Sequence, residues 1–257
     1  KDHENTFLTS SEKLLSLKNE ISFNNISFAY EKGNKNSVIE NISLTMLKGQ
    51  KIAIIGPTGS GKSTFLDLLL GMIEPDSGKI TIDDEILSKE NLHSYRRNFS
   101  YVPQKIFFLE DTLQQNIVFG SSEELDNKRL QQAITNASLK ELVDQLPYGL
   151  DTDISDSNQM VSGGQKQCIG IARAIYRGGD ILILDEATSA MDQDLEKKIY
   201  SAVFNSKFQT FISVTHKSSL LNQFDKIFVF NNGRIEAIGS YEELQKTSSF
   251  FNFMTKQ

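Results

Sequence analysis

The sequence predicts an α/β protein: a mixed sheet that carries a phosphate-binding loop, an antiparallel β subdomain, and a helical subdomain in the middle of the chain. Three observations predict it. Lys51 to Ile55 is an apolar strand running directly into the glycine-rich stretch Gly56 to Gly61, with a helical pattern after it. Short apolar runs, Ile181 to Leu184 and Phe211 to Val214, flank a helical segment from Leu195 to Phe204, which is the βαβ rhythm of a parallel sheet. Near the start, apolar residues alternate at Ile21 and Phe23, then at Ile26, Phe28 and Tyr30, with a phase slip at Asn24-Asn25 that marks a bulge or turn.

In chain order, residues 1 to 20 are polar and lack a steady period until Leu14, Leu15 and Leu17. They are expected to form a tether or short helix leading into a domain of residues 21 to 257. Gly33-Asn34 supplies a loop and Val38 to Met46 returns to strand. A helix runs from Lys62 to about Met72, with Phe65, Leu66, Leu68, Leu69 and Leu70 on its core face and Pro75 and Gly78 beyond its end. Ile80 to Ile82 and Ile86 alternate again. From Ser121 to Arg177 the chain reads mainly helical, because Leu125, Leu130, Ala133 and Ile134 recur at helical spacing and Leu139 to Leu146 repeats it before Pro147 and Gly149. Phe224 to Phe230 and Gly233 to Ile238 form a strand pair around Asn231-Asn232-Gly233, and Tyr241 to Phe253 forms terminal helices.

Composition narrows the classes. A chain of 257 residues can bury a sizeable core, and 39% hydrophobic with 23% charged residues is a globular balance. The longest apolar runs are of strand length, far below the roughly 20 residues of a membrane helix. No N-terminal apolar stretch resembles a signal peptide. The single cysteine, Cys168, has no internal disulfide partner, which fits a reducing cytosol. A net charge of −6 argues against nucleic acid as a partner. Because the chain starts at Lys1 rather than Met, a piece of a longer protein is expected.

Gly56-Pro57-Thr58-Gly59-Ser60-Gly61-Lys62-Ser63 fits G-x-x-x-x-G-K-[ST] with a strand before and a helix after. The glycines let successive N–H groups point at phosphate oxygens, and the helix N-terminus adds partial positive charge. Lys62 is placed to reach the β- and γ-phosphates, and the Ser63 hydroxyl to ligate Mg²⁺. The buried run Ile181 to Leu184 delivers Asp185 and Glu186 to the sheet edge, where ligands of open α/β sheets bind. Asp185 holds Mg²⁺, often through water, which leaves Glu186 to polarise an attacking water.

Ser162-Gly163-Gly164-Gln165 opens a helix bearing Ile169, Ile171, Ala172 and Ile175, so Ser162 can cap it while the glycines admit a phosphate. Taken alone such a turn is a helix cap. Between the other two motifs it has a second reading: one nucleotide has little use for two helix N-termini of the same subunit, so this turn serves a nucleotide held by another.

These motifs, in this order, resemble the nucleotide-binding domain of ABC transporters, from about Glu20 to Met254. The resemblance implies a P-loop NTPase core and a helical subdomain, about residues 105 to 177, that carries the signature motif. It implies ATP and Mg²⁺, with Gly56, Thr58, Gly59, Ser60, Gly61, Lys62, Ser63 and Thr64 on the nucleotide. Tyr30, in Phe28-Ala29-Tyr30, matches the aromatic that stacks on adenine. Gln104, in Val102-Pro103-Gln104, matches the Q-loop glutamine that senses Mg²⁺ and the attacking water. Val161 to Gln165 matches the signature, with Val161 where leucine is usual, so Ser162, Gly163, Gly164 and Gln165 meet the partner's ATP. Ser189-Ala190-Met191-Asp192 is similar to the D-loop, which puts Asp192 at the nucleotide. His216, in Val214-Thr215-His216, matches the switch histidine at the γ-phosphate. The implied catalytic set is Glu186, His216, Gln104 and Lys62, and the metal set Ser63, Gln104 and Asp185.

Phe107 to Gly120 is similar to the exporter segment that faces the coupling helices of a membrane domain, and Leu146 to Gly149 and Thr152 to Ile154 resemble the exporter stretch before the signature. The resemblance therefore implies an ATPase motor of an exporter at the cytoplasmic face of the inner (cell) membrane, soluble when isolated. Its partners are a second copy, closing head-to-tail around two Mg·ATP, and a transmembrane domain fused N-terminally. A relative acting on DNA or ribosomes would carry a long coiled coil or tandem cassettes, and an importer subunit would favour a native Met start. Two departures stand out: Ser155-Asp156-Ser157-Asn158 replaces glycine and charged residues, and Cys168 stands where an arginine is common, which removes that ion pair.

Overall fold

The computed structural model describes residues 15–31, 37–121, 124–155 and 161–255. The expected loop at Gly33-Asn34, residues 1–14 of the expected tether, and Asp156 to Asn158 lie outside them. β1 (Glu20–Phe28) pairs antiparallel with β2 (Ile39–Leu47). The phase slip is a bulge: the register shifts between Phe23 and Ile26, and Asn25 takes φ 52°. Ile21, Phe23, Ile26 and Phe28 thereby all reach the core. β3 (Lys51–Ile55) leads through the glycine loop into α1 (Lys62–Leu69). This helix stops before the expected Met72 because Gly71 turns left-handed at φ 64°, where a Cβ would lie 2.4 Å from Leu92 Cδ1. β4 (Ser77–Ile82) and β5 (Glu85–Ile86) complete an antiparallel sheet ordered β2-β1-β4-β5.

α2 (Leu92–Arg96), β6 (Phe99–Val102) and β7 (Asp111–Thr112) are too short to show a period, and the sequence pattern did not mark them. The helical subdomain begins earlier than Ser121, with α3 (Leu113–Val118), whose cap Thr112 accepts a hydrogen bond from the Gln115 N–H. It continues through α4 (Asn127–Asn136), α5 (Lys140–Gln145), the two-residue β8 (Asp153–Ile154) that pairs with β7, and α6 (Gly163–Arg177). β9 (Ile181–Asp185), α7 (Gln193–Phe204), β10 (Thr210–Val214), β11 (Lys226–Asn231), β12 (Arg234–Gly239), α8 (Tyr241–Thr247) and α9 (Ser249–Thr255) complete the chain, close to the spans the pattern predicts.

The second sheet is ordered β12-β11-β3-β10-β9-β6, and every pairing is parallel except β11 with β12. Its inner strands β3, β9 and β11 are apolar at successive positions because both faces are covered, whereas the edge strand β12 alternates. Ile52, Ile54, Ile181, Ile183, Ile212 and Val214 pack with α1 and the antiparallel sheet, while Ala53, Ile55, Leu182, Leu184 and Phe211 pack with the helical subdomain. Each fully buried Ile or Leu contributes about 1.5–3 kcal/mol, so this sandwiched sheet is the rigid frame of the molecule. With β3, β10, β9 and β6 all parallel, their C-terminal ends deliver Gly56, Thr215, Asp185 and Pro103 to one edge.

Residues 15–19 differ from a free tether. Leu15 and Leu17 are buried, and the Asn98 side chain joins both: its Nδ2 donates to Leu15 O (2.6 Å) and its Oδ1 accepts from Leu17 N (3.1 Å). The Asp83 carboxylate accepts the N–H groups of Lys18, Asn19 and Glu20, which holds it below the usual carboxylate range despite some burial.

Candidate functional site

The glycine loop adopts backbone that side chains other than hydrogen rarely permit, with φ 155° at Gly56, 77° at Gly59 and 101° at Gly61. A Cβ on Gly56 would lie 2.4 Å from the Phe230 carbonyl oxygen and 2.7 Å from Ser60 Oγ. Gly61 starts α1 with no side-chain cap, which leaves the first N–H groups of the helix uncapped by side chains among the described residues. Lys62 is buried, and its Nζ donates to the carbonyls of Gly56 (2.8 Å) and Pro57 (2.9 Å). Burial pulls its pKa down, against the pull of Glu186 and then Asp185. Ser60 Oγ is buried with no hydrogen-bond partner among the described residues. Tyr30 is exposed beside the loop: its ring meets Phe28 edge-on at 5.0 Å and its hydroxyl lies 3.2 Å from Thr64 Oγ1.

Asp185 ends β9 partly buried and accepts a hydrogen bond from the Tyr101 hydroxyl at 3.1 Å. Burial is the main force raising its pKa; the Tyr101 bond lowers it, Glu186 and Asp67 raise it further, and Lys62 lowers it. Asp67 is itself raised by burial. Three carboxyl groups that act on one another electrostatically, with the Lys62 ammonium beside them, make a setting that attracts a cation.

Glu186 takes φ 49°, a left-handed conformation that costs a non-glycine residue about 1 kcal/mol or more. Its carboxylate is held from two other strand ends. Gln104 Nε2 donates to Oε2 at 2.7 Å, and His216 Nε2 lies 2.8 Å from Oε1. The side chain is 21% exposed, so it is oriented yet open to water. A carboxylate held in this way can accept a proton from a water molecule.

The signature-like turn is held by a separate set of contacts. Ser162 and Gln165 form a reciprocal capping box, with Ser162 Oγ accepting from Gln165 N (3.2 Å) and Gln165 Oε1 accepting from Ser162 N (2.8 Å). Gly163 and Gly164 lie against Ala190, where a Cβ on Gly164 would be 3.2 Å from the carbonyl oxygen. Gln167 fastens the two segments, donating to Ser189 Oγ and accepting from Ala190 N, both at 3.0 Å. Asp192 caps α7 through the N–H groups of Asp194 and Leu195, and the Leu195 bond is the main reason its pKa is lowered.

The predicted residues thus separate within the chain. Gly56 to Thr64, Asp185, Glu186, Gln104, His216 and Tyr30 gather at the sheet edge, while Ser162 to Gln165 join the Ser189–Asp192 turn. Tyr101, Asp67 and Gln167 were not anticipated. No motif marks Tyr101; it reaches Asp185 because β6 pairs with β9, Tyr101 opposite Ile183. Cys168 is buried in α6, and burial pushes its thiol up to about 11.

Among the described residues no three His, Cys, Asp or Glu side chains converge as a complete cation site. One carboxylate and one hydroxyl beside a phosphate loop suit Mg²⁺, which keeps water and takes phosphate oxygens as ligands. The residues present therefore fit that ion.

A loop, a buried lysine and an acidic strand end at the edge of a parallel sheet define a P-loop nucleotide-binding domain. The family model described as ABC transporter matches residues 39–189. The chain is 37% identical over 232 residues to the ATP-dependent lipid A-core flippase 2 of Colwellia psychrerythraea, covering 90% of this chain and 40% of that protein. It is 36% identical over 249 residues to the ABC multidrug transporter atrD of Emericella nidulans, covering 96% of this chain and 18% of that one. A solved structure of a bacterial Atm1-family ABC exporter with ATP bound superposes with a TM-score of 0.87 at 30% identity, over 94% of this chain and 42% of the other. The chain belongs to the ABC transporter family and corresponds to the nucleotide-binding part of its exporters. It spans about two fifths of the length of the flippases it matches.

Proposed function

We propose that this chain binds and hydrolyses ATP as the motor of an ABC exporter, two copies closing head-to-tail around two nucleotides. The observation that carries this reading is the Glu186 carboxylate, held at 2.7 Å by Gln104 and 2.8 Å by His216 beside the glycine loop and Lys62. Tyr30 stacks on the adenine. Lys62 exchanges the loop carbonyls for β- and γ-phosphate oxygens, and the N–H groups of Gly56 to Thr64 line the phosphates. Ser63 and Asp185, with Gln104 beside them, would hold Mg²⁺, which supplies charge neutralisation as the phosphoryl group departs. Glu186 takes a proton from the attacking water while His216 contacts the γ-phosphate. Ser162, Gly163, Gly164, Gln165 and Asp192 of the second copy complete the site, which accords with a turn fastened to Ser189–Asp192 rather than to its own loop.

A fused membrane domain at the N-terminal side, with this part at the cytoplasmic face, is the arrangement that the exposed aromatic face of residues 107 to 120 accords with. No helix among the described residues is long and apolar enough to cross a membrane. Phe107 and Phe119, within the segment expected to meet coupling helices, are both exposed, and Arg173 lies 5.5 and 5.4 Å from their rings. Relatives are named as a lipid A-core flippase and as a multidrug transporter, so lipid A-core and drugs are the two cargo classes to test first.

A mixing experiment tests the shared site. Lys62→Ala spoils the loop and Ser162→Arg spoils the turn, so each variant alone should release little phosphate. Mixed, they should regain turnover, because half of the sites in a mixed dimer combine an intact loop with an intact turn. No recovery at concentrations where wild type dimerises would overturn the head-to-tail reading.

A further inference from the structure

Lys217 follows His216 directly, and its ammonium is fully used. Nζ contacts Glu196 Oε2 at 3.1 Å and donates to the carbonyls of Thr188 (3.1 Å) and Met191 (3.2 Å). An ammonium has three protons to donate, and here each has an acceptor. The Glu196 side chain is only 1% exposed, and its second oxygen accepts the Thr188 hydroxyl at 2.6 Å. The result is a closed network between two loops. One follows β9 and carries Glu186, two residues before Thr188; the other follows β10 and carries His216.

We propose that Lys217 and Glu196 are positioning residues, which clamp these two loops together and so set the 2.8 Å approach of His216 to Glu186. The argument is one of leverage. Glu186 sits in a strained left-handed conformation with its side chain partly buried, and His216 on an exposed loop position, so neither is fixed by full burial of its own side chain. The clamp ties the backbone within two residues of each. It also grips the Met191 carbonyl, and so steadies the turn on which Gly164 packs, which places the catalytic edge and the partner-facing turn on one framework. In a buried network of this kind a displacement of about 1 Å can cost on the order of a hundredfold in rate.

The inference rests on the reading that Glu186 and His216 act in hydrolysis, and its test keeps the two apart. Removing Lys217 alone strands a buried carboxylate, so the informative variant is the double Glu196→Leu/Lys217→Met, because apolar replacement of both partners of a buried pair is often neutral for folding. Nucleotide affinity is measured with a fluorescent ATP analogue, turnover by phosphate release, and the imidazole of His216 by NMR, which is practical with three histidines in the chain. The expected result is affinity within about threefold of wild type, kcat lower by about tenfold or more, and a His216 ring signal that moves while those of His3 and His93 stay. Lys217→Arg, which keeps a cation and several donors, should recover part of the rate. A folded double variant with wild-type kcat and an unmoved His216 signal would overturn the clamp. If wild type itself releases no phosphate, the hydrolysis reading fails, and the His216 signal alone decides the positioning claim.

Discussion

Replacing Glu186 by Gln isolates charge from shape. The side chain keeps its length, and the amide oxygen can accept from Gln104 Nε2 where Oε2 does now, at 2.7 Å. The new NH₂ then faces His216 Nε2, which lies 2.8 Å from Oε1, and can donate to it when the imidazole carries its proton on Nδ1. What disappears is the proton acceptor. A positioned general base contributes about 10²–10⁴-fold, so turnover should fall at least about a hundredfold, or about 2.7 kcal/mol in the barrier. Binding should survive or tighten. Glu186 raises the Asp185 pKa and supports the Lys62 charge, so the variant lets the Asp185 carboxyl ionise more readily while leaving less negative charge facing a triphosphate. The assay is phosphate release together with light scattering, each with and without Mg·ATP. The variant should bind ATP, turn over slowly and accumulate as a dimer. Turnover within about threefold of wild type would refute the base assignment; a variant that no longer binds ATP would refute the claim that its geometry is preserved.

Gly56→Ala should abolish nucleotide binding or the fold itself, because its Cβ would sit 2.4 Å from a backbone oxygen of the central sheet; Gly59→Ala, with nothing within 4 Å, should cost only about 1 kcal/mol for its left-handed backbone, and thermal melts with ATP titration separate the two. Tyr30→Ala should weaken ATP binding by about 5–100-fold through loss of a base–aromatic stack, with kcat unchanged, as read from Kd and saturating rates. Asp185→Asn should raise the melting midpoint at about pH 7 without Mg²⁺ by a few degrees. The sign follows from burial, which raises the Asp185 pKa above its ordinary 3.8, so stability from this group is present below that value and lost as pH rises through the folded value. The advantage of the Asn variant should therefore vanish at about pH 4, and one that persists there would show that packing, not charge, is responsible.

Much of the site was legible because its parts are local. Gly56 to Ser63 declares itself through spacing between a strand and a helix, and Asp185-Glu186 through adjacency to a four-residue buried run. The bulge at Asn24-Asn25 was legible too, as a break in alternation. By contrast α2 and β6 were not, since five and four residues carry no measurable period. The sequence pattern carries the tether or short helix to residue 20, whereas Leu15 is already bonded to Asn98, a residue 83 positions away.

From the chain alone, then, come the phosphate loop, the acidic strand end, the capped signature-like turn and the family they resemble, because each depends on residues a few bonds apart and on side-chain periodicity. The tertiary structure alone decided that Gln104 and His216 meet on one carboxylate, that Tyr101 leans on Asp185, that Gln167 joins the turn to Ser189, and that Lys217 closes on Glu196. Those contacts follow from the strand order β3-β10-β9-β6, which brings loops dozens of residues apart to one edge. Strand order is set by how two cores fill the two faces of the sheet, a property of the packed whole that no local stretch encodes.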